Sequence, residues 1–151
     1  MNFRIFKNKK VLITGHTGFK GSWLSLWLYS KGAKVIGVSK NLPTKPSLFK
    51  IFNLKFKVKN YYMDLGKKNN LKNIIIKNQP DYIFHLAAQA IVSKAYKDPK
   101  DTYLSNSIGT LNVLESLRYI KKKCNIVIIT SDKSYKNIEL KRGYHEKDLL
   151  G

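Results

Sequence analysis

At 151 residues, with 43% hydrophobic and 25% charged residues, the chain holds enough apolar material for one globular core and not obviously for two. Lys and Arg number 29 against 9 Asp and Glu, a formal net charge of +20; a balance this basic admits nucleic acid, anionic membrane or acidic small molecules as partners, but the lysines are spread from Lys7 to Lys147 and only Lys121, Lys122 and Lys123 form a run of three, so a nucleic-acid partner is not expected. The lone Cys124 excludes an internal disulfide, no apolar run reaches the roughly 18 residues of a membrane span, and residues 1–10 lack the apolar segment of a signal peptide; a cytoplasmic protein with no membrane partner is expected.

Short apolar runs alternate with longer helical stretches, the rhythm of a parallel α/β sheet. Val11 to Thr14 is a strand, Gly15 to Lys20 a glycine-punctuated turn, and Ser22 to Ser30 a helix with Leu24, Trp27 and Leu28 at i, i+3 and i+4 and Gly32 as its stop. Trp23 and Trp27 read as core residues. Lys34 to Val38 is the second strand. Pro43 and Pro46 make 41–54 a loop with one helical turn after Pro46, and Phe56 to Met63 is the third strand. A helix over Lys68 to Lys77 ends before Gln79-Pro80, and Tyr82 to Leu86 is a fourth strand bounded by Ala87-Ala88.

A long helix is expected over Lys100 to Lys122. Its apolar positions Leu104, Ile108, Leu111, Leu114, Leu117 and Ile120 recur every three or four residues and share one face. Asn125 to Thr130 is almost wholly apolar, as a central strand covered on both faces would be. The last twenty residues are polar and read as loop. The fold expected is α/β, a Rossmann-type doubly wound parallel sheet, one incomplete nucleotide-binding domain over residues 1–151.

Gly15, Gly18 and Gly21 lie between the first strand and first helix. Glycines there permit positive φ, let backbone N–H groups approach a pyrophosphate, and let helix pack on strand, while the helix N-terminus faces the phosphates. The spacing is G-x-x-G-x-x-G. A carboxylate ending the second strand would accept from a ribose 2′-hydroxyl, but the segment here is Val38-Ser39-Lys40-Asn41. Asn41 suits a ribose hydroxyl and Lys40 suits a 2′-phosphate, so NAD and NADP both remain open on this segment. No metal is expected, since His16 and His85 have no third ligand spaced near them.

Thr14-Gly15-His16-Thr17-Gly18-Phe19-Lys20-Gly21-Ser22-Trp23-Leu24 resembles the cofactor loop of the CDP-glucose 4,6-dehydratases, a branch of the extended short-chain dehydrogenase/reductase family. Pro43 to Phe49, His85-Leu86-Ala87-Ala88-Gln89, Asn106 with Gly109-Thr110, and Thr130 to Tyr135 are similar to that family's later motifs, in order over nearly the whole chain. The resemblance implies NAD as cofactor, held by Gly15, Thr17, Gly18, Phe19, Gly21, Asn41, Asp64, Leu65, Ala87, Ala88, Gln89 and Asn106. It implies a nucleotide-sugar substrate, CDP-glucose, and a homodimer in the full-length form. It also implies a reaction: oxidation at sugar C4, loss of water across C5 and C6, and return of hydride to C6. Ser131 would bond the C4 hydroxyl and Asp132 would protonate the departing C6 hydroxyl. Lys133 would serve either as base, which requires desolvation to depress its pKa, or as an orienting group. The Tyr-x-x-x-Lys pair that such an oxidation uses is expected downstream of the fifth strand. The spacing occurs only earlier, at Tyr96 with Lys100 and Tyr119 with Lys123, so these residues alone are not expected to turn over. An epimerase or reductase of the same extended family, or a non-catalytic cofactor-binding remnant, are the alternatives.

Overall fold

Apolar residues at consecutive positions of Lys10–Thr14 (β1) are buried alternately on the two faces of one sheet, Val11 and Ile13 on one side and Leu12 on the other. The computed structural model describes residues 3–67 and 70–151, the side chains of Phe3 and Asp132 excepted. Following β1 come the helix Phe19–Ser30 (α1), the strand Lys34–Ser39 (β2), the short helices Leu48–Ile51 (α2) and Leu54–Lys57 (α3), the strand Lys59–Tyr62 (β3), the helix Leu71–Asn78 (α4) and the strand Tyr82–His85 (β4). Helices Val92–Lys97 (α5) and Pro99–Tyr103 (α6), a π-helical segment Leu104–Ile108, the helix Gly109–Leu117 (α7) and the strand Asn125–Ile128 (β5) complete it.

The five strands are parallel in the order β3-β2-β1-β4-β5. Helices α1, α2 and α3 cover one face, where Leu28, Phe49 and Leu54 pack on Val11, Ile13 and Val35. Helices α4 and α7 cover the other, where Leu71, Ile75 and Val113 pack on Leu12, Ile36 and Ile83. This is the doubly wound arrangement expected. The strand order reverses between β1 and β4, which opens a crevice at the carboxyl ends of the strands.

Several expectations are corrected. Helix α1 starts at Phe19, one turn early, because Gly18 takes an extended conformation and serves as its N-cap. Two helical turns, not one, follow the cis Lys45-Pro46 bond; Asn53 at φ 50° separates them, and α3 occupies Phe56, the expected start of the third strand. The helix expected from Lys68 begins at Leu71, and Lys68 lies outside the described residues. Trp23 is 50% exposed, edge-on to Phe52, while Trp27 packs edge-on to Phe6.

The single long helix expected over Lys100 to Lys122 is instead α6, the π-helical segment and α7 in succession, ending at Leu117, and α5 precedes it. An α-helical phase carried through a segment with wider turns points at the wrong residues: Gly109, Val113 and Ser116 are the buried face of α7, while Leu111 and Leu114 are exposed. Strand β5 pairs only with β4 among the described residues, so it is an edge strand and not a central one.

Candidate functional site

The glycine loop fills the turn from β1 into α1. Gly15 has φ +74°, and a Cβ there would lie 2.9 Å from the Ala87 nitrogen. A Cβ on Gly21 would overlap the Gly15 carbonyl and lie 2.7 Å from the His16 Cα. Those two glycines therefore let strand, loop and helix close on one another. Gly18 differs: its Cβ would meet only the Gly15 oxygen, at 3.3 Å, so its backbone faces open space. No side chain caps α1, which leaves its N-terminus available for the role that helix N-termini play toward phosphate. Phe19 in its first turn is 68% exposed. The loop thus fits a dinucleotide pyrophosphate.

His16 shapes the loop from beneath. Its Nε2 donates to Asn60 Oδ1 at 2.9 Å, and its Nδ1 lies 2.8 Å from Ser39 Oγ. Gly37 leaves the space its ring occupies, since a Cβ there would overlap it. Burial lowers the His16 pKa from its ordinary 6.5, against the bond to Asn60. Thr17 is fixed at the rim, its N–H donating to Ser39 Oγ (3.3 Å) and its hydroxyl to the Asn41 carbonyl (2.6 Å). Asn41 is thereby held at the mouth of the crevice with its side chain exposed.

Beyond the ends of β2 and β3, Lys40 Nζ lies 2.9 Å from Asp64 and 3.4 Å from Asp101 of α6, and Lys94 of α5 lies 3.2 Å from Asp101. Asp64 also accepts the Gly66 N–H at 3.0 Å. Leu65 is buried, its carbonyl accepting from Asn112 Nδ2 at 2.6 Å. Gly66 permits this packing, since a Cβ would approach the Leu104 carbonyl oxygen to 2.5 Å.

At the end of β4 a directed chain of hydrogen bonds crosses the sheet. The Thr110 hydroxyl donates to the Asn106 carbonyl (2.6 Å), which leaves its oxygen to accept from His85 Nε2 (3.0 Å); His85 Nδ1 then accepts from Thr14 (2.6 Å), whose oxygen takes the Ala87 N–H (3.2 Å). The pattern requires a neutral imidazole, and burial lowers the His85 pKa from 6.5 accordingly. Asn106 brackets Gln89, accepting its N–H at 2.7 Å and donating to its carbonyl at 3.0 Å. Ala87, exposed Ala88 and Gln89 thus line the crevice on the β4 side of the glycine loop.

The structure gathers Gly15, Thr17, Gly18, Phe19 and Gly21 into the loop, with Asn41, Asp64 and Leu65 to one side and Ala87, Ala88, Gln89 and Asn106 to the other. Ser131, Asp132 and Lys133 follow β5, the last two beginning a 3-10 turn. Ser131 Oγ accepts the Lys133 N–H at 3.2 Å and its carbonyl accepts the Ser134 hydroxyl at 2.9 Å. The Asp132 side chain lies outside the described residues. Lys133 is exposed. A hollow of about 400 Å³, lined by Lys10, Tyr29, Lys34, Lys57 and Lys59 among others, lies at the amino ends of the strands. The crevice at the reversal of strand order is the candidate site, because loop, helix terminus and bracketed β4 turn converge there and not on that hollow. Sequence reasoning placed Thr14, His16, His85 and Thr110 in motifs but missed what their side chains hold, and it missed Asp101 altogether.

A strand–glycine loop–helix unit at the switch point of a parallel sheet has the form of a dinucleotide-binding fold. The chain belongs to the GDP-mannose 4,6 dehydratase family, which residues 12–150 match. It is 42% identical over 146 residues to the CDP-glucose 4,6-dehydratase of Salmonella typhimurium, covering 97% of this chain and 41% of that protein. It is 37% identical over 122 residues to the GDP-mannose 4,6-dehydratase of Vibrio cholerae serotype O1, covering 75% and 32%. The Thermus thermophilus UDP-glucose 4-epimerase, solved in complex with NAD, matches with a TM-score of 0.77 at 26% identity, covering 94% of this chain and 44% of that one. The chain therefore spans less than half the length of these relatives. No helix among the described residues is long and apolar enough to cross a membrane.

Proposed function

We propose that this chain is the cofactor-binding part of an NAD-dependent CDP-glucose 4,6-dehydratase acting in the cytoplasm. The observation that carries the reading is the glycine loop at the switch point, in a chain 42% identical to a CDP-glucose 4,6-dehydratase over nearly its whole length. Gly15, Thr17, Gly18, Phe19 and Gly21 hold the pyrophosphate, Asn41 the adenosine ribose, and Asp64 and Leu65 the adenine. Ala87, Ala88, Gln89 and Asn106 shape the nicotinamide side. NAD, when bound there, would supply the hydride acceptor for sugar C4 and the hydride donor for C6.

Ser131 hydrogen-bonds the C4 hydroxyl, and Asp132 gives its proton to the departing C6 hydroxyl. Lys133 either takes the C5 proton as a base or orients Asp132 or the substrate. The proton of the C4 hydroxyl needs a separate acceptor: after β5 the two tyrosines, Tyr135 and Tyr144, are followed four residues on by Glu139 and Asp148, not lysine. The full-length enzyme works as a homodimer, and the exposed Leu111 and Leu114 of α7 provide an apolar face for it.

The test is a chimera joining this chain to the carboxyl-terminal part of the Salmonella typhimurium CDP-glucose 4,6-dehydratase, assayed with CDP-, dTDP-, UDP- and GDP-sugars. Formation of a 4-keto-6-deoxy sugar from CDP-glucose above the others is expected. Epimerised product, or preference for another nucleotide, would overturn the reading in favour of a related epimerase. The 151-residue chain alone is expected to bind NAD and to form no keto sugar.

A further inference from the structure

We propose that Asp101, together with Asp64, selects a cofactor with a free 2′-hydroxyl by holding Lys40 neutralised at the place where a 2′-phosphate would otherwise bind; the inference rests on the cofactor reading above. Lys40 is the first residue after β2, where folds of this kind read the ribose with a carboxylate or receive a 2′-phosphate with a basic residue. From Ser39 to Met63 the chain has no carboxylate, so by sequence nothing at this end of β2 opposes a 2′-phosphate.

The fold reverses that. Asp64 arrives from the end of β3 and Asp101 from α6, 61 residues downstream of Lys40, and both contact the Lys40 ammonium, at 2.9 and 3.4 Å. Asp101 is held for this contact, its own N–H donating to Asp98 Oδ1 at 2.9 Å and its second oxygen bridging to Lys94 at 3.2 Å. Two lysines and two carboxylates leave the group with no net charge. A phosphate monoester carries nearly two negative charges at neutral pH, and to reach Lys40 it must displace a carboxylate that then repels it. The bonds from Lys94 and Lys40 hold the Asp101 pKa below its ordinary value, and the bond to Asp64 raises that of Lys40, so the network stays charged at neutral pH. Lys40 is about half exposed. Solvent weakens such pairs, so the expected effect is about fivefold and not hundredfold.

The 151-residue chain is titrated with NADH and with NADPH, following nicotinamide fluorescence, in the wild type, Asp101→Asn, Lys40→Ala and the double variant, with circular dichroism to verify folding. The wild type is expected to bind NADH more tightly. Asp101→Asn should tighten NADPH about fivefold and leave NADH within about twofold, and adding Lys40→Ala should remove the gain. Should Asp101→Asn unfold the chain, Lys40→Ala alone decides: unchanged NADPH binding supports the proposal, and weakened NADPH binding sinks it. Wild-type binding of NADPH as tight as NADH, or equal loss of both in Asp101→Asn, would also overturn it and mark Asp101 as a tether only. A folded chain that binds neither nucleotide would overturn the cofactor reading itself, and the inference with it.

Discussion

Asn106 holds Gln89 by both sides of its peptide backbone, accepting the N–H at 2.7 Å and donating to the carbonyl at 3.0 Å. A single side-chain amide thus replaces the two ladder bonds that the backbone loses on leaving β4. Asn106 sits in the π-helical segment Leu104–Ile108, and such segments re-aim side chains at functional positions. Asn106→Leu leaves a partly buried N–H and carbonyl unpaired, a loss of about 1–3 kcal/mol. Asn106→Asp keeps the acceptor but sets a carboxylate against the Gln89 carbonyl. Urea unfolding is expected to rank stability as wild type, then Asp, then Leu, with weaker NADH binding in both variants. Wild-type stability in Asn106→Leu would show that the bracket contributes nothing.

Gly18 and Gly21 separate folding from binding. A Cβ at Gly21 has the Gly15 carbonyl and the His16 Cα, at 2.7 Å, in its way, and these are backbone atoms that cannot step aside. Gly21→Ala should cost about 1–3 kcal/mol as an overpacked contact and lower the urea midpoint. A Cβ at Gly18 meets only the Gly15 oxygen at 3.3 Å and otherwise enters the space proposed for the pyrophosphate. Gly18→Ala should therefore fold with a near-normal midpoint yet bind NADH at least about tenfold more weakly, the effect of a methyl in a close backbone approach. Unimpaired NADH binding by folded Gly18→Ala would remove the pyrophosphate from this loop.

His16 and His85 make the stability depend on pH. Burial lowers both pKa values below the ordinary 6.5 in the folded chain, so the unfolded chain takes up protons first as the pH falls. Their contribution is fully present above about 6.5 and is lost as the pH drops through that value towards the folded pKa values, with a slope of up to about 1.4 kcal/mol per pH unit for each histidine. The depressed carboxylates Asp81, Asp101 and Asp148 start from an ordinary 3.8 and titrate lower still, outside this window. Urea unfolding at pH 7.5 and 5.5 should show a marked loss at the lower pH. His85→Asn should be less stable at pH 7.5 but fall less between the two; an identical fall would show that His85 does not carry the dependence.

The parts of the fold governed by short-range patterning were legible, and those governed by tertiary partners were not. Val11 to Thr14 and Tyr82 to Leu86 read as strands because continuous apolar runs bounded by glycine, proline or small residues have few other uses. The glycine loop was legible for the same local reason. Phe56 was claimed for β3 by its apolar character, yet Asn53 in the left-handed region starts a further helical turn there. The phase of Leu111 and Leu114 failed because Leu104–Ile108 winds differently from an α-helix, which no periodicity discloses. That Lys40, read as suited to a 2′-phosphate, is paired with Asp101 was not legible, because Asp101 lies 61 positions away and only the packing of α6 over the strand ends brings them together. His16 was dismissed as a ligand, but its bonds to Asn60 and Ser39 join three segments that are remote in sequence.

Strand β5 carries a sequence suited to the middle of a sheet, although among the described residues it lies at the edge. Ile126 shares a face with Ile83, and Val127 one with Phe84, so apolar side chains stand on both faces. Val127 is 43% and Ile129 50% exposed, and the outer backbone groups of the strand have no partner strand among the described residues. An apolar, uncharged edge of this kind is a template for further strand pairing. The isolated chain is expected to self-associate with rising concentration despite its net charge of +20, and more so as salt screens that charge. Val127→Lys with Ile129→Lys places charge on the exposed face without touching the β4 ladder, a device that natural edges use. Sedimentation at several concentrations should show the wild type shifting to larger species while the double variant goes no further than a dimer. Equal association in both would move the sticky surface elsewhere, with the exposed Leu111 and Leu114 of α7 the next to substitute.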